Sequence, residues 1–187
     1  MARFYVTLSL LLYLLALCFD AVQLSGGNVM TSLQVLLQGP WGIVFGLFGW
    51  FANPLFGLAL LVRRRWRWLS LLLGLWALYL AVISHGVQRL PDNINYNFHD
   101  VTGFAAGYYL WAFGIGAFCA GQAWWCSRGR TVEVPRWGLP DGGLALLLLV
   151  VVMIGLRDEN LRFDLDKLFD MPPSSWDIQT PRRNESI

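Results

Sequence analysis

Long blocks of apolar residues run through this chain, and they restrict it to few folds. An α-helix needs about 20 mostly apolar residues to cross the hydrocarbon core of a bilayer. The first block, residues 4–24, follows Arg3 and reads FYVTLSLLLYLLALCFDAVQL. A cleaved signal peptide is the rival reading, but no Ala-x-Ala site follows the run. Leu17 is also too large to precede a lipoprotein cysteine at Cys18, so an uncleaved first helix is favoured. The second block, 41–62, and the fourth, 101–125, hold no charge, and the third covers 66–84. The fifth, 137–156, reaches spanning length only by including Pro140 and Asp141. Proline is tolerated in a first helical turn, where its missing N–H would have no partner anyway.

The expected fold is therefore all-α: a polytopic transmembrane bundle of about five spans, or four if the last segment is re-entrant or interfacial. The composition agrees. Hydrophobic residues make up 56% and charged residues 14%, whereas a soluble domain carries about 25% charged residues.

Arginine placement orients the bundle, because Lys and Arg accumulate in short cytoplasmic loops. Arg63, Arg64, Arg65 and Arg67 fall between the second and third segments, and Arg128, Arg130 and Arg136 follow the fourth. The connection 25–40 has no Lys or Arg, and the loop from His85 to Asp100 has only Arg89. With Arg3 at the start, this alternation predicts a cytoplasmic N-terminus and an extracytoplasmic tail, 157–187. Trp41, Trp66, Trp68, Trp124, Trp125 and Trp137 lie near the expected span ends, as an interfacial aromatic belt requires. The arginine run reads as a topology determinant rather than a nucleic-acid patch.

Helices in lipid associate by close packing, so small residues four apart mark contact faces. Gly42 and Gly46 have that spacing, as do Gly103 and Gly107. This predicts that the second and fourth helices form the packed centre, with a homodimer face as the competing use. Asn53-Pro54 falls near the middle of the second span, where Pro54 should kink the helix at the carbonyl of Trp50. Asn53 then either bonds a freed carbonyl or a neighbouring helix, or it lines a small polar site of the transporter kind.

Both histidines lie in the expected outer loop, which reads HGVQRLPDNINYNFHD. His85, Arg89, His99 and Asp100 form its polar cluster. Metal binding or proton transfer is conceivable for His, His and Asp, but the spacing is not that of a ligand set. Asp100 reads instead as a cap for the fourth helix. Cys18, Cys119 and Cys126 form no CxxC pair, so neither a disulfide framework nor a zinc site is expected. No cofactor or catalytic motif is read from the chain. Beyond Arg157, Leu161, Leu165 and Leu168 share one face of a short amphipathic helix with an acidic outer side.

Gly49-Trp50-Phe51-Ala52-Asn53-Pro54, within the stretch Met30–Leu61, resembles a segment of small polytopic bacterial inner-membrane proteins. Gly107-Tyr108-Tyr109-Leu110-Trp111 adds to that resemblance, which covers under half of the chain. It implies a multi-span inner-membrane protein and no particular activity. The expected function is a non-enzymatic, protein-binding or accessory subunit. The alternatives are an immunity protein against a membrane-targeting toxin, a small transporter or channel at Asn53-Pro54, and, last, an enzyme using His85, His99 and Asp100. The expected partners are the lipid bilayer and a protein or a second copy, with no nucleic acid.

Overall fold

The computed structural model describes residues 4–91, 98–128 and 139–157. It is mostly helical. Helix α1 covers Phe4–Ala16, α2 Ser32–Gln38, α3 Ala52–Val62, α4 Arg67–Ile83, α5 Ala106–Ser127 and α6 Leu139–Gly155. Short 3-10 runs, Gly39–Phe45 and Phe48–Phe51, join α2 to α3. With its 3-10 end, α4 runs Arg67–Gly86, and among the described residues it is the one helix both long and apolar enough to cross a membrane.

The chain is not all-α. Strands β1 (Asp20–Leu24), β2 (Val29–Thr31), β3 (Arg89–Pro91) and β4 (Phe98–Phe104) form one antiparallel sheet in the order β2-β1-β4-β3. The first apolar block is therefore divided. Its helix closes in tight turns at Leu17–Phe19, and the remainder, from Asp20, pairs as β1. Gly26 and Gly27, both at φ +82°, let the chain reverse into β2. Such positive angles cost glycine little. Val22 lies opposite both Met30 and Phe104, which joins the two hairpins through one residue. The fourth block is divided in the same way, with β4 reaching Phe104 before α5 begins at Ala106.

The sheet sits at one end of a helix bundle. Ala21, Val22, Leu24 and Met30 are its buried residues, and Val35 of α2 and Phe104 pack on them. Thr31 starts α2 with a capping box: its hydroxyl accepts from the Gln34 N–H, while the Gln34 side chain accepts from the Thr31 N–H. The bundle core is centred on Val6, Leu10, Ala59, Ala81, Ile115 and Phe118.

The close helix pairs differ from the expected one. Gly42 lies in a 3-10 run, Gly46 turns at φ +73°, and Gly103 lies in β4, so none of them faces a partner from an α-helix. The tight approach is between α1 and α5 instead. The Ser9 hydroxyl donates to the carbonyl of Gly114 at 2.6 Å. A Cβ at Gly114 would lie 3.2 Å from the Ser9 carbonyl oxygen, and one at Gly121 would overlap the Tyr5 ring. The α3–α4 turn is closed by Ser70, whose hydroxyl donates to the carbonyl of Ala59 at 2.8 Å.

Most of the tail, with Leu161, Leu165 and Leu168, lies outside the described residues, as do Arg130, Arg136 and Trp137.

These contacts separate two glycines of one helix. Gly121→Ala should destabilise the protein by about 1–3 kcal/mol, since the Tyr5 ring must give way. Gly116→Ala meets nothing within 4 Å and should instead gain up to about 1 kcal/mol of helix propensity. Reversible unfolding in mixed micelles measures both.

Candidate functional site

Where the sheet meets the bundle lies a partly open cavity of about 170 Å³. Its walls come from the end of α1, the sheet, α2, the two 3-10 runs, the start of α3 and the start of α5. Aromatic rings contribute to them, among them Trp41, Phe45, Trp50, Phe104, Tyr108 and Trp111. Among the described residues, no Asp, Glu, Lys, Arg or His lines it.

Asn53 lines this cavity. Its Oδ1 accepts two hydrogen bonds, from the Tyr13 hydroxyl and from the Trp111 indole N–H, each at 2.8 Å. One amide oxygen thereby ties α1, α3 and α5 together. Pro54 does not break a span, because α3 begins at Ala52 and Pro54 falls within its first turn. There the absent N–H has no intrahelical acceptor to lose. The preceding residues bend the path instead: the 3-10 run Phe48–Phe51 places Trp50 in the wall, where its indole N–H donates to the carbonyl of Leu36 at 2.8 Å.

Two glycines give the walls their fit. A Cβ on Gly39 would strike the Trp50 indole, and one on Gly107 would strike the Ser32 hydroxyl. Gly107 is thus a contact glycine, but toward α2 and the turn before β1 rather than toward another long helix. Ser32 is 9% exposed. Its Oγ and the Gln38 Nε2 are buried in the cavity wall without a hydrogen-bond partner among the described residues. Both were silent in the sequence. The available signal was the Gln34 capping box after Thr31, which makes 32–38 a short helix rather than loop.

The outer-loop cluster does not assemble as one site. His99 and Asp100 lie in β4, and Asp100 pairs with Arg89 at 2.9 Å across the strands, so it does not cap α5. His85 stacks on Phe104 with ring centroids 4.7 Å apart. No group of three or more His, Cys, Asp or Glu able to hold a metal occurs among the described residues.

At the opposite end of the bundle, the arginine run divides. Arg64 and Arg65 are exposed, while Arg63 is 1% exposed and points into the bundle. There it lies against the Tyr5 hydroxyl, near Asp141. Tyr5 also donates to the Gln122 side chain at 2.9 Å, and the Thr7 hydroxyl donates to Asp141 at 2.5 Å. Arg63 is thus a packing residue, and exposed charge is left to its neighbours.

Comparison with protein-family models, curated proteins and solved structures finds no match for this chain.

Replacing Asn53 by Leu leaves the Tyr13 hydroxyl and the Trp111 N–H buried without an acceptor, and should cost about 2–4 kcal/mol. Tyr13→Phe removes one donor while Asn53 keeps Trp111, and should cost about 1 kcal/mol. Denaturation of both variants in micelles tests the order.

Proposed function

We propose that this is a multi-span inner-membrane protein, N-terminus inside, that works without catalysis by binding a small apolar molecule in the cavity beneath its sheet. The observation that carries this reading is the cavity itself: rich in aromatic rings, built by residues from most of the fold and without a charged side chain among the described residues that line it. Apolar pockets with a few placed polar groups are the usual form of a small-molecule site.

The membrane reading draws support from the distribution of side chains. Large apolar residues point outward along the helices, among them Leu11, Leu61, Leu72, Trp76, Phe113 and Ile154. Polar side chains are turned inward, as Ser9, Arg63, Ser70, Gln122 and Asp141 illustrate. Contiguous exposed apolar surface of this kind suits lipid contact. The exposed Arg64 and Arg65 lie at the end away from the sheet, and the positive-inside rule then supports a sheet and cavity on the outer side.

Single cysteines test orientation in a variant lacking the native thiols. Asn28→Cys should react with an impermeant maleimide on intact cells, and Arg64→Cys only after permeabilisation; the reverse pattern would remove the orientation. Binding is tested by mass spectrometry of small molecules retained through purification. Val35→Trp, which fills the cavity wall, should lose what the wild type retains. Identical retention in both would remove the binding role. An accessory subunit remains a fitting setting for such a binder, with the sheet as the surface available to a partner.

A further inference from the structure

Resting on the multi-span membrane reading above, and independent of what the cavity holds, we propose that the end of the bundle opposite the sheet is a binding surface for anionic phospholipid headgroups. Arg64, Arg65 and Arg128 make it, together with Trp66, Trp68 and Trp124.

The fold brings these residues to one end from two places in the chain. Arg64, Arg65 and Trp66 belong to the turn between α3 and α4. Trp124 lies in the last turn of α5, and Arg128 follows its end. The two places meet at Arg67, whose carbonyl accepts from the Gln122 Nε2 at 3.0 Å and from the Cys126 thiol at 3.6 Å. Arg64, Arg65 and Arg128 are all exposed, and none has an acidic partner among the described residues. The Arg128 guanidinium lies over the Trp124 ring, 4.2 Å from its centroid. A guanidinium stacked by its face keeps its N–H edge for an acceptor.

Charge is distributed unequally between the two ends. At the sheet end Arg89 pairs with Asp100 at 2.9 Å, and the exposed Asp20 adds a negative group. At the arginine end the described acid is Asp141, which is buried, as is Arg63. In the sequence, the connection 129–138 sets Arg130 and Arg136 against Glu133, so it does not cancel the excess. The exposed cations therefore call for an anion from outside the chain, and a phosphodiester is one. Trp68, Leu69 and Leu72 are exposed on the stretch of α4 that follows. They give an acyl chain a surface to lie on, which a free phosphate or a nucleic acid would leave unused. Exposed indoles beside the arginines suit the headgroup level of a bilayer.

The test uses the full-length chain in a neutral detergent. The probes are phosphatidylglycerol and phosphatidylcholine with identical acyl chains, added at equal concentration, and native mass spectrometry counts each lipid retained. Phosphatidylglycerol should bind roughly tenfold or more tighter, because each arginine near an anionic headgroup is worth about fivefold. That preference should fall toward parity between about 50 mM and about 500 mM ammonium acetate, as salt screens exposed charges. Arg64→Gln, Arg65→Gln and Arg128→Gln combined should remove it, while the same three positions changed to Lys should keep most of it. Arginines also set topology, so insertion of the glutamine variant is checked by labelling at Asn28→Cys. Arg128→Gln alone, the milder variant, should lose about fivefold. Excess glycerol phosphate should displace neither lipid.

Equal binding of the two lipids, or a preference that survives the glutamine substitutions, overturns the surface and leaves the membrane reading standing. Displacement of phosphatidylglycerol by glycerol phosphate overturns the lipid in favour of a free phosphate. Retention of neither lipid overturns this inference and counts against the membrane reading with it.

Discussion

An amide oxygen has two lone pairs, and in Asn53 both are committed. Tyr13 and Trp111 reach it from α1 and α5, while the residue itself belongs to the first turn of α3. Three helices are thereby held at one point. The constraint propagates in both directions along the bundle. Toward the sheet, it sets where Trp111 stands and hence one wall of the cavity. Away from it, it fixes the depth at which α3 enters, so that Arg63 arrives beside Tyr5. Hydrogen bonds of this kind are modest when measured against exchange with water, but leaving the partners unpaired costs far more.

Both ends of the molecule bury polar groups. Around Tyr5, the groups are matched: Gln122 accepts from Tyr5 and donates to the carbonyl of Arg67, and Asp141 accepts from Thr7. Such a network locks one arrangement of helices. Around the cavity, Asn53 and Trp50 are equally well satisfied, yet Ser32 and Gln38 are not. At the other end, the buried Trp125 Nε1 likewise has no hydrogen-bond partner among the described residues.

The helical content was readable from the apolar blocks, and α4 follows the third of them closely. The sheet was not. Val22 and Leu24 look the same to a hydropathy window whether they continue a helix or alternate in a strand, and only Asp20 interrupts the first block before them. The Ser25-Gly26-Gly27-Asn28 turn flanked by Leu24 and Val29 was the local sign of a hairpin, but its partner strand is far away in sequence. Likewise Asn53 was readable as a polar group needing a partner, though not which partner, because Tyr13 and Trp111 come from other helices. Glycine spacing misled for a related reason. Gly42 and Gly46 match the pattern of a packed helix while belonging to a stretch too irregular to present one face. Gly114 and Gly121, seven residues apart on α5, are the pair that lets α1 approach.

Val22 pairs with Phe104, a residue 82 positions later in the chain. During synthesis at roughly 5–20 residues per second, β1 therefore waits roughly 4–16 s for its central neighbour to emerge. In that interval β1 and β2 form only a two-stranded hairpin, which is marginal in water by itself. The cavity roof is accordingly among the last parts to close, and the edge of β1 that β4 will occupy stays open while the middle helices are being made.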